Sequence, residues 1–353
     1  MKIFPLRAAY GDALVVESTS EERTYRIVID GGPKETEEKI ADYYCQLGHI
    51  DLFVLTHYDE DHIKGIITFL ERLNGNDRVI DLVWANCATI VEYDNEENAA
   101  AYEDAYTLAK LLNKLKRKGV IGEWEDDITI EKKPISIGPF CIEVLSPTIE
   151  INEELKKRYK NYIEKEGLQD DQDQDEDVSY GRVLQDASKT FDYLVEHFKS
   201  TSTTFMNKSS IALKISAEEK TILCLADADA KVMEDVLIGK GYDEKHPIQA
   251  DLVKMSHHGS KANIRKKLLE MIDCDKYLFT TNGGTAGAYH PDRQTLACVS
   301  QWKHNDITSI TFYFNYPLDT IMERTTGLLR NEERELMNIV DNYKGYSVPT
   351  IEI

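Results

Sequence analysis

Six consecutive residues, His57-Tyr58-Asp59-Glu60-Asp61-His62, put two imidazoles and three carboxylates into one short stretch. Both groups are good ligands for divalent first-row metals. Alternate side chains of an extended loop project to one side, so His57, Asp59 and Asp61 are expected to converge on one point with His62 alongside. For the hexapeptide alone, an acidic surface turn with two incidental histidines is the competing reading. Two further segments weigh against it. LADADA places Asp227 and Asp229 just after the apolar run TILCL, and VKMSHHGSKAN places His257 and His258 just after ADLV. Each delivers a carboxylate or an imidazole at the end of an apolar strand, as the first segment does.

Other positions read as support. Asp30 in IDGG comes too early to be a ligand and is expected to hold its loop or to orient a ligand histidine. Gly31 and Gly32 permit a tight turn. His290, followed by Pro291 in a Gly-rich loop, is a candidate donor of a proton or hydrogen bond to substrate, or a residue that structures its loop. Asn207, Ser209 and Ser210 are expected to contact backbone rather than substrate. His49, His246 and His304 have no matching context.

The elements that must position these groups alternate strand and helix. Short strands fill the first 56 residues, among them TYRIVIDGG and the apolar run IDLFVLTH, with a helix over KETEEKIADYYCQL between them. HIKGIITFLERL spaces apolar residues for a helix beginning just after the His57–His62 loop. A strand ending in a ligand loop that leads into a helix is where α/β proteins tend to carry their chemistry. VIDLVWANC is a strand, YEDAYTLAKLLNKLKRKG a helix ending at Gly119, and ISIGPFCIEVLSP a hairpin. Residues from about 150 to 200 change character: two helical stretches flank QDDQDQDED, which has no apolar surface to bury and reads as a solvated linker. Strand periodicity returns with SSIALKIS, KTILCLAD, ADLVKMS, KYLFTTNGG and SITFYF, with helices over AKVMEDVLIGKG and IRKKLLEMI. TTGLLRNEERELMNIVDNYKG reads as an amphipathic helix that packs back on the body, with contact to a protein partner, through it or through the insertion, as the alternative.

Composition bounds the function. At 353 residues and 42% hydrophobic, the chain can bury a large core. No run approaches the roughly 20 apolar residues of a membrane helix, so no membrane partner is expected. The six cysteines lie far apart without CxxC pairs, which fits reduced thiols in a cytoplasmic protein. A net charge of −21 opposes tight, sequence-independent binding to nucleic acid, though bound metals would supply local positive charge.

The segments GDALVV (11–16), VIDGG (28–32), THYDEDHIKG (56–65), NKSSIAL (207–213), ILCLADAD (222–229), KMSHHGS (254–260) and AYHPD (288–292) resemble, in that order, the metallo-β-lactamase superfamily, and within it the hydrolase domain of ComEC-type competence proteins, whose HxDxDH motif is matched by HYDEDH. The resemblance implies a four-layer αββα fold over residues 1–315, with the helical, acidic insertion near 150–200 and a C-terminal helical extension at 316–353 outside it. It implies two divalent ions, Zn²⁺ or Mn²⁺: His57 and Asp59 on the first, Asp61 and His62 on the second, Asp227 bridging, and His257 or His258 completing the second. Asp61 and His290 are the residues assigned to catalysis. The pattern departs from the family in two places. A further first-site histidine is missing, His197 being the only one in the interval and Asn86 a candidate stand-in, and Ala226 replaces the Gly before the bridging aspartate, leaving Asp229 as an alternative. The expected reaction is hydrolysis of a phosphodiester, DNA or a nucleotide, with Lys261, Arg265, Lys266 and Lys267 as candidate phosphate contacts. A small phosphoester substrate and a metal-binding regulatory module are the alternatives.

Overall fold

The computed structural model describes residues 1–86, 103–164, 186–285, 289–302, 307, 309–341, 343 and 348–353. The acidic QDDQDQDED segment, Cys87 and His304 lie outside these residues. The first half builds one sheet from β1 (Lys2–Pro5), β2 (Leu14–Ser20), β3 (Arg23–Ile29), β4 (Ile50–Val54), β5 (Ile80–Trp84) and β6 (Ile121–Glu125). Strands β3 to β6 run parallel, joined by α1 (Glu37–Leu47), α2 (Glu60–Arg72) and α3 (Glu103–Arg117). The second sheet starts with the hairpin β7 (Ile135–Ile137) and β8 (Phe140–Ser146). After α4 (Ile149–Glu164), α5 (Phe191–Glu196) and α6 (Phe205–Lys208) it continues with β9 (Ala212–Ala217), β10 (Lys220–Cys224), α7 (Ala230–Gly239), β11 (Ile248–Gln249) and β12 (Leu252–Lys254). It ends with α8 (Lys266–Glu270), β13 (Ile272–Asp273), β14 (Lys276–Phe279), α9 (Arg293–Gln301) and β15 (Thr311–Phe314). Here β10, β12, β14 and β15 are parallel, while β11 and β13 form a separate small pair.

The strand sequences explain the layering. In β4, Leu52 and Val54 enter the apolar layer between the sheets, facing Ile222, Cys224 and Leu213, whereas Ile50 and Phe53 face the helices with Phe69 and Tyr44. In β10, Ile222 and Cys224 point between the sheets and Leu223 points outward toward Met233 and Leu237 of α7. Strands buried on both faces read as the unbroken runs IDLFV and TILCL, as a parallel sheet covered by helices requires. Two sheets face to face with helices outside give four layers, the αββα arrangement expected.

Two elements differ from the sequence reading. The tail is not one helix over TTGLLRNEERELMNIVDNYKG: α10 (Leu318–Arg324) and α11 (Asn331–Leu336) are short, β16 (Asn338–Val340) joins β15, and β17 (Ile351–Glu352) joins β1. Within that stretch the apolar residues Ile339 and Val340 serve a sheet edge instead of a helix face. Of the helix expected over RVLQDASKTFDYLVEHFK, residues 182–185 lie outside the described residues, and from 186 on it is α5 alone, capped by Thr190 accepting from Tyr193 N (3.2 Å). Among the described residues, no helix is long and apolar enough to cross a membrane.

Candidate metal centre

Five parallel-strand ends meet at one edge of the two sheets: β3 delivers Asp30, β4 His57, β10 Asp227, β12 His257 and His258, and β14 Thr280. Helix α2 starts earlier than its periodicity suggests. Asp59 is its N-cap, so Asp61 and His62 sit in its first turn rather than in an extended loop. Convergence therefore comes from a strand, a cap and a helical turn, not from alternation along a loop. The Asp59, Glu60 and Asp61 carboxylates lie at the positive end of the helix.

His57 Nε2 stands 3.2 Å from Asp59 Oδ2 and 3.9 Å from Asp227 Oδ2. His62 Nε2 stands 3.6 Å from Asp61 Oδ2 and 3.5 Å from Asp227 Oδ1. His258 Nε2 lies 3.1 Å from Asp61 Oδ2, and His257 Nε2 3.7 Å from Asp227 Oδ2. Hydrogen bonds on the far side of each ring decide where its proton sits. His62 Nδ1–H donates to Asp30 Oδ2 (2.8 Å) and His258 Nδ1–H to the Thr280 carbonyl (2.8 Å). The Thr56 hydroxyl gives its proton to Asp30 Oδ2 (2.8 Å), so toward His57 Nδ1, 3.1 Å away, it can only accept. The Asn263 amide nitrogen donates to the carbonyls of Asp227 (3.0 Å) and Ala228 (3.2 Å), which turns its oxygen toward His257 Nδ1 at 3.0 Å. Asn207 Nδ2 lies 3.2 Å from the same nitrogen, so a proton on His257 Nδ1 requires the Asn207 amide turned to present its oxygen. All four rings therefore carry hydrogen on Nδ1 and turn the Nε2 lone pair inward, toward carboxylate oxygens that only accept.

Acceptors facing acceptors without water is an unfavourable arrangement unless a cation or a proton stands between them. His57 Nε2, His62 Nε2 and Asp227 Oδ1 are buried with no hydrogen-bond partner, so the donor set fits divalent metal. Protons take that place otherwise. Burial favours the neutral His258 ring, but Asp12 and Asp61 outweigh it and raise His258 to about 10. His62 is likewise raised well above its ordinary value by Asp61, Asp227 and Asp30 against the effect of burial. Burial raises the Asp61 carboxyl, yet the His62 and His258 charges bring it down to about 2.

Asp30 meets its expectation: it receives Thr56 N–H and hydroxyl as well as His62, from a backbone with φ 60°. Of the two candidate aspartates, Asp227 faces the imidazoles, whereas Asp229 caps α7 and accepts from Thr203 (2.6 Å). Ala226 adopts φ 47°, the left-handed backbone that a glycine takes without strain. Asn86 does not join the cluster; its amide is spent on the Ile128 backbone (2.8 and 2.9 Å). His197 bonds the Tyr193 carbonyl on the surface. Ser209 contacts backbone as expected, and Ser210 accepts from the Asp227 amide (3.2 Å) while also lying 3.2 Å from His57 Nδ1; Asn207 touches His257. His290 stands beside the cluster, its ring 5.1 Å from that of His257 and its Nδ1 3.6 Å from Asp292 Oδ2. Arg265 is bound to the buried Glu234 (2.8 Å), whereas Lys266 is exposed on the surface with Glu270 3.5 Å away.

The sequence reading missed a buried trio beneath the site. Asp12, from GDALVV, takes the Lys254 ammonium and the Thr280 hydroxyl, and its Oδ1 lies 3.4 Å from His258 Nδ1. Its position in the motif was the available signal; what hid it was Lys254, a residue type almost never buried unless paired. Asp12, His62, Asp227 and His258 have ligand atoms within 4.8 Å of one another, but Asp12 is already neutralised by Lys254. His49, Asp51 and Asp81 also cluster, yet Asp51 is committed to Arg23 and to Arg26 N–H (2.7 Å).

Residues 7–144 match the family model described as the metallo-beta-lactamase superfamily. Similar solved structures include the metallo-beta-lactamase fold protein YhfI from Bacillus subtilis (12% identity, TM-score 0.39, 99% of each chain covered). Zn²⁺-bound PqqB from Methylobacterium extorquens is another (12% identity, TM-score 0.44, 100% of each chain). A diphosphatase from the PhnP family is a third (11% identity, TM-score 0.39, 99% of this chain and 85% of that one). These likenesses are too distant to bear on activity, and no curated protein matches the chain. The matched segment carries the HYDEDH half of the site, the second sheet carries the rest, and together they give the chain the metallo-β-lactamase fold.

Proposed function

We propose that the protein is a metal-dependent hydrolase of phosphodiesters that holds two divalent ions, Zn²⁺ or Mn²⁺, among His57, Asp59, Asp61, His62, Asp227, His257 and His258. The observation that carries this reading is the inward orientation of every Nε2 lone pair toward Asp59, Asp61 and Asp227. A metal pair in such a site supplies a water of lowered pKa and an electrophile for phosphoryl oxygens. Three carboxylates make the donor set hard, which suits Mn²⁺ beside Zn²⁺ and an oxygen-rich substrate. Asp61, between His62 and His258, orients the attacking water and accepts its proton. His290, with Nδ1 toward Asp292, has its opposite ring edge left for the leaving oxygen, to which it donates. Nuclease action rests on the resemblance of HYDEDH to the HxDxDH pattern. The pairing of Arg265 with Glu234 and the charge of −21 favour a second reading, a small nucleotide or other phosphoester.

Purified protein with Mn²⁺ or Zn²⁺ is tested on bis-p-nitrophenyl phosphate, then on single- and double-stranded DNA, beside Asp59→Ala and His62→Ala. Metal-dependent cleavage lost in both variants supports the phosphodiesterase. Full metal occupancy without turnover of any of these substrates overturns it in favour of a narrow small-molecule substrate or a regulatory module.

A further inference from the structure

Two adjacent histidines usually diverge, since one extended backbone sends successive side chains to opposite faces. Here His257 and His258 both hold left-handed backbone, φ 48° and 55°. Such conformations are strained for a non-glycine residue and cluster where function demands them. Their effect is to aim both rings at the same carboxylate cluster from different sides. His258 Nε2 meets Asp61, the residue that also lies beside His62. His257 Nε2 meets Asp227 Oδ2, the oxygen that His57 also faces, while His62 faces Oδ1 of the same carboxylate.

The spacings lie close to those within a coordination polyhedron. Ligand atoms about 2.0–2.2 Å from a tetrahedral ion stand about 3.3–3.6 Å from one another. The separations among His57, Asp59 and Asp227 Oδ2 (3.2 and 3.9 Å), and between His257 and Asp227 Oδ2 (3.7 Å), fall around that range. Neither residue expected to supply a third protein ligand on this side reaches it: Asn86 is tied to Ile128 and His197 lies on the surface.

Building on the two-ion reading, we infer that His257 is the missing ligand of the first ion, with His57, Asp59 and Asp227, while His258 belongs to the second, and that Asn263 positions His257 by accepting its Nδ1 proton. The paired histidines thus divide between the two ions, instead of one being the ligand and its neighbour a bystander. Asn263 is itself anchored on the carbonyls of Asp227 and Ala228, so the segment that carries the bridging carboxylate also sets the proton position of the ring facing it.

Zinc stoichiometry and affinity, by metal analysis after dialysis and by calorimetric titration with zinc chloride, test this without reference to turnover. Wild type is expected to hold two ions, and His57→Ala and His257→Ala one each. The double variant His57→Ala/His257→Ala also keeps one, at the affinity the single variants show, because both residues serve the same ion; that retained ion certifies that the site still folds. His62→Ala/His257→Ala keeps none. Asn263→Ala weakens only the ion lost in His257→Ala, about 10- to 100-fold. Two ions of unchanged affinity in His257→Ala overturn the inference and leave the hydrolase reading standing, as does complete loss of zinc from the His57→Ala/His257→Ala protein when each single variant retains one. A wild type that takes up no zinc overturns the hydrolase reading and this inference together.

Discussion

Asp30 touches no substrate in the proposed scheme, yet its two oxygens hold His62 Nδ1–H, the Thr56 amide and the Thr56 hydroxyl, and through Thr56 they fix the proton of His57. One carboxylate therefore orients a ring on each side of Asp227. Asp30→Ala is expected to lower zinc affinity about 10- to 100-fold at both positions. Leaving the Thr56 N–H buried and unpaired should also cost about 1–3 kcal/mol of stability, read from the urea midpoint. A variant with wild-type zinc binding would remove Asp30 from the site. The proton balance gives a second expectation. His62 is raised well above its ordinary value and His258 to about 10, and an Nε2 proton must leave a ring before it binds metal. Zinc uptake at pH 7 should release about two protons per chain, measured calorimetrically in buffers of different ionisation enthalpy. Residue identity at this scale was largely legible: HYDEDH, Asp227 and HHG stand in the sequence as clusters. What was not legible was proton placement, which depends on Thr56, Thr280 and Asn263, residues far apart in the chain and ordinary in composition.

Elements decide how closely these residues approach. The first turn of α2 is gripped through its carbonyls, with Asp61 accepting from Asp12 N (3.1 Å) and His62 from Gly31 N (2.7 Å). Such contact requires bare backbone. A Cβ on Gly65 would overlap the Gly31 carbonyl, and one on Gly31 would overlap the Ile66 amide. The role of Gly31 is thus close approach of loop to helix as well as the turn expected from IDGG. Gly65→Ala adds a helix-favouring residue worth about 1 kcal/mol in an exposed helix, yet here it should destabilise by about 1–3 kcal/mol as the helix is pushed off the loop. Because Asp61 and His62 ride on that turn, zinc affinity should fall with stability. An unchanged thermal midpoint would show that the loop yields at no cost. Hydrophobic periodicity located α2 but misplaced its start, since His62 is buried for its chemistry while Asp59 and Glu60 look like loop residues. A cap position is set by what the carboxylates face, and that is supplied by β10 and β12, more than 150 residues later.

At the scale of the whole molecule, the tail that reads as one amphipathic helix closes the edges of both sheets and is tied to the site through Arg293. That side chain, fully buried, donates to both oxygens of Glu333 (2.6 Å each), to the Leu328 carbonyl (2.8 Å) and to the Lys189 carbonyl (2.8 Å). It opens α9 directly after His290-Pro291-Asp292, so the end of the insertion, the C-terminal segment and the His290 loop share one anchor. Periodicity cannot reveal this: an Arg after a Pro-Asp pair reads as the solvated start of a helix, and only the fold supplies Glu333 forty residues on. Burial raises the Glu333 carboxyl, but Arg293 and Arg330 outweigh it and hold its folded value below 4.5. A carboxyl lowered on folding stabilises the protein fully above its unfolded pKa, and the contribution is lost as pH falls through the folded value. Stability should therefore decline below about pH 4.5 partly through this pair. Glu333→Gln keeps the shape but leaves a buried guanidinium uncompensated, which costs about 3–5 kcal/mol at neutral pH. Its stability should then depend less on pH than wild type between pH 5 and 3, roughly the window of carboxylate titration. Urea midpoints across that window decide the matter: parallel pH profiles for the two proteins would mean that Glu333 is already neutral in the folded chain, and that the tail is held by packing rather than by charge.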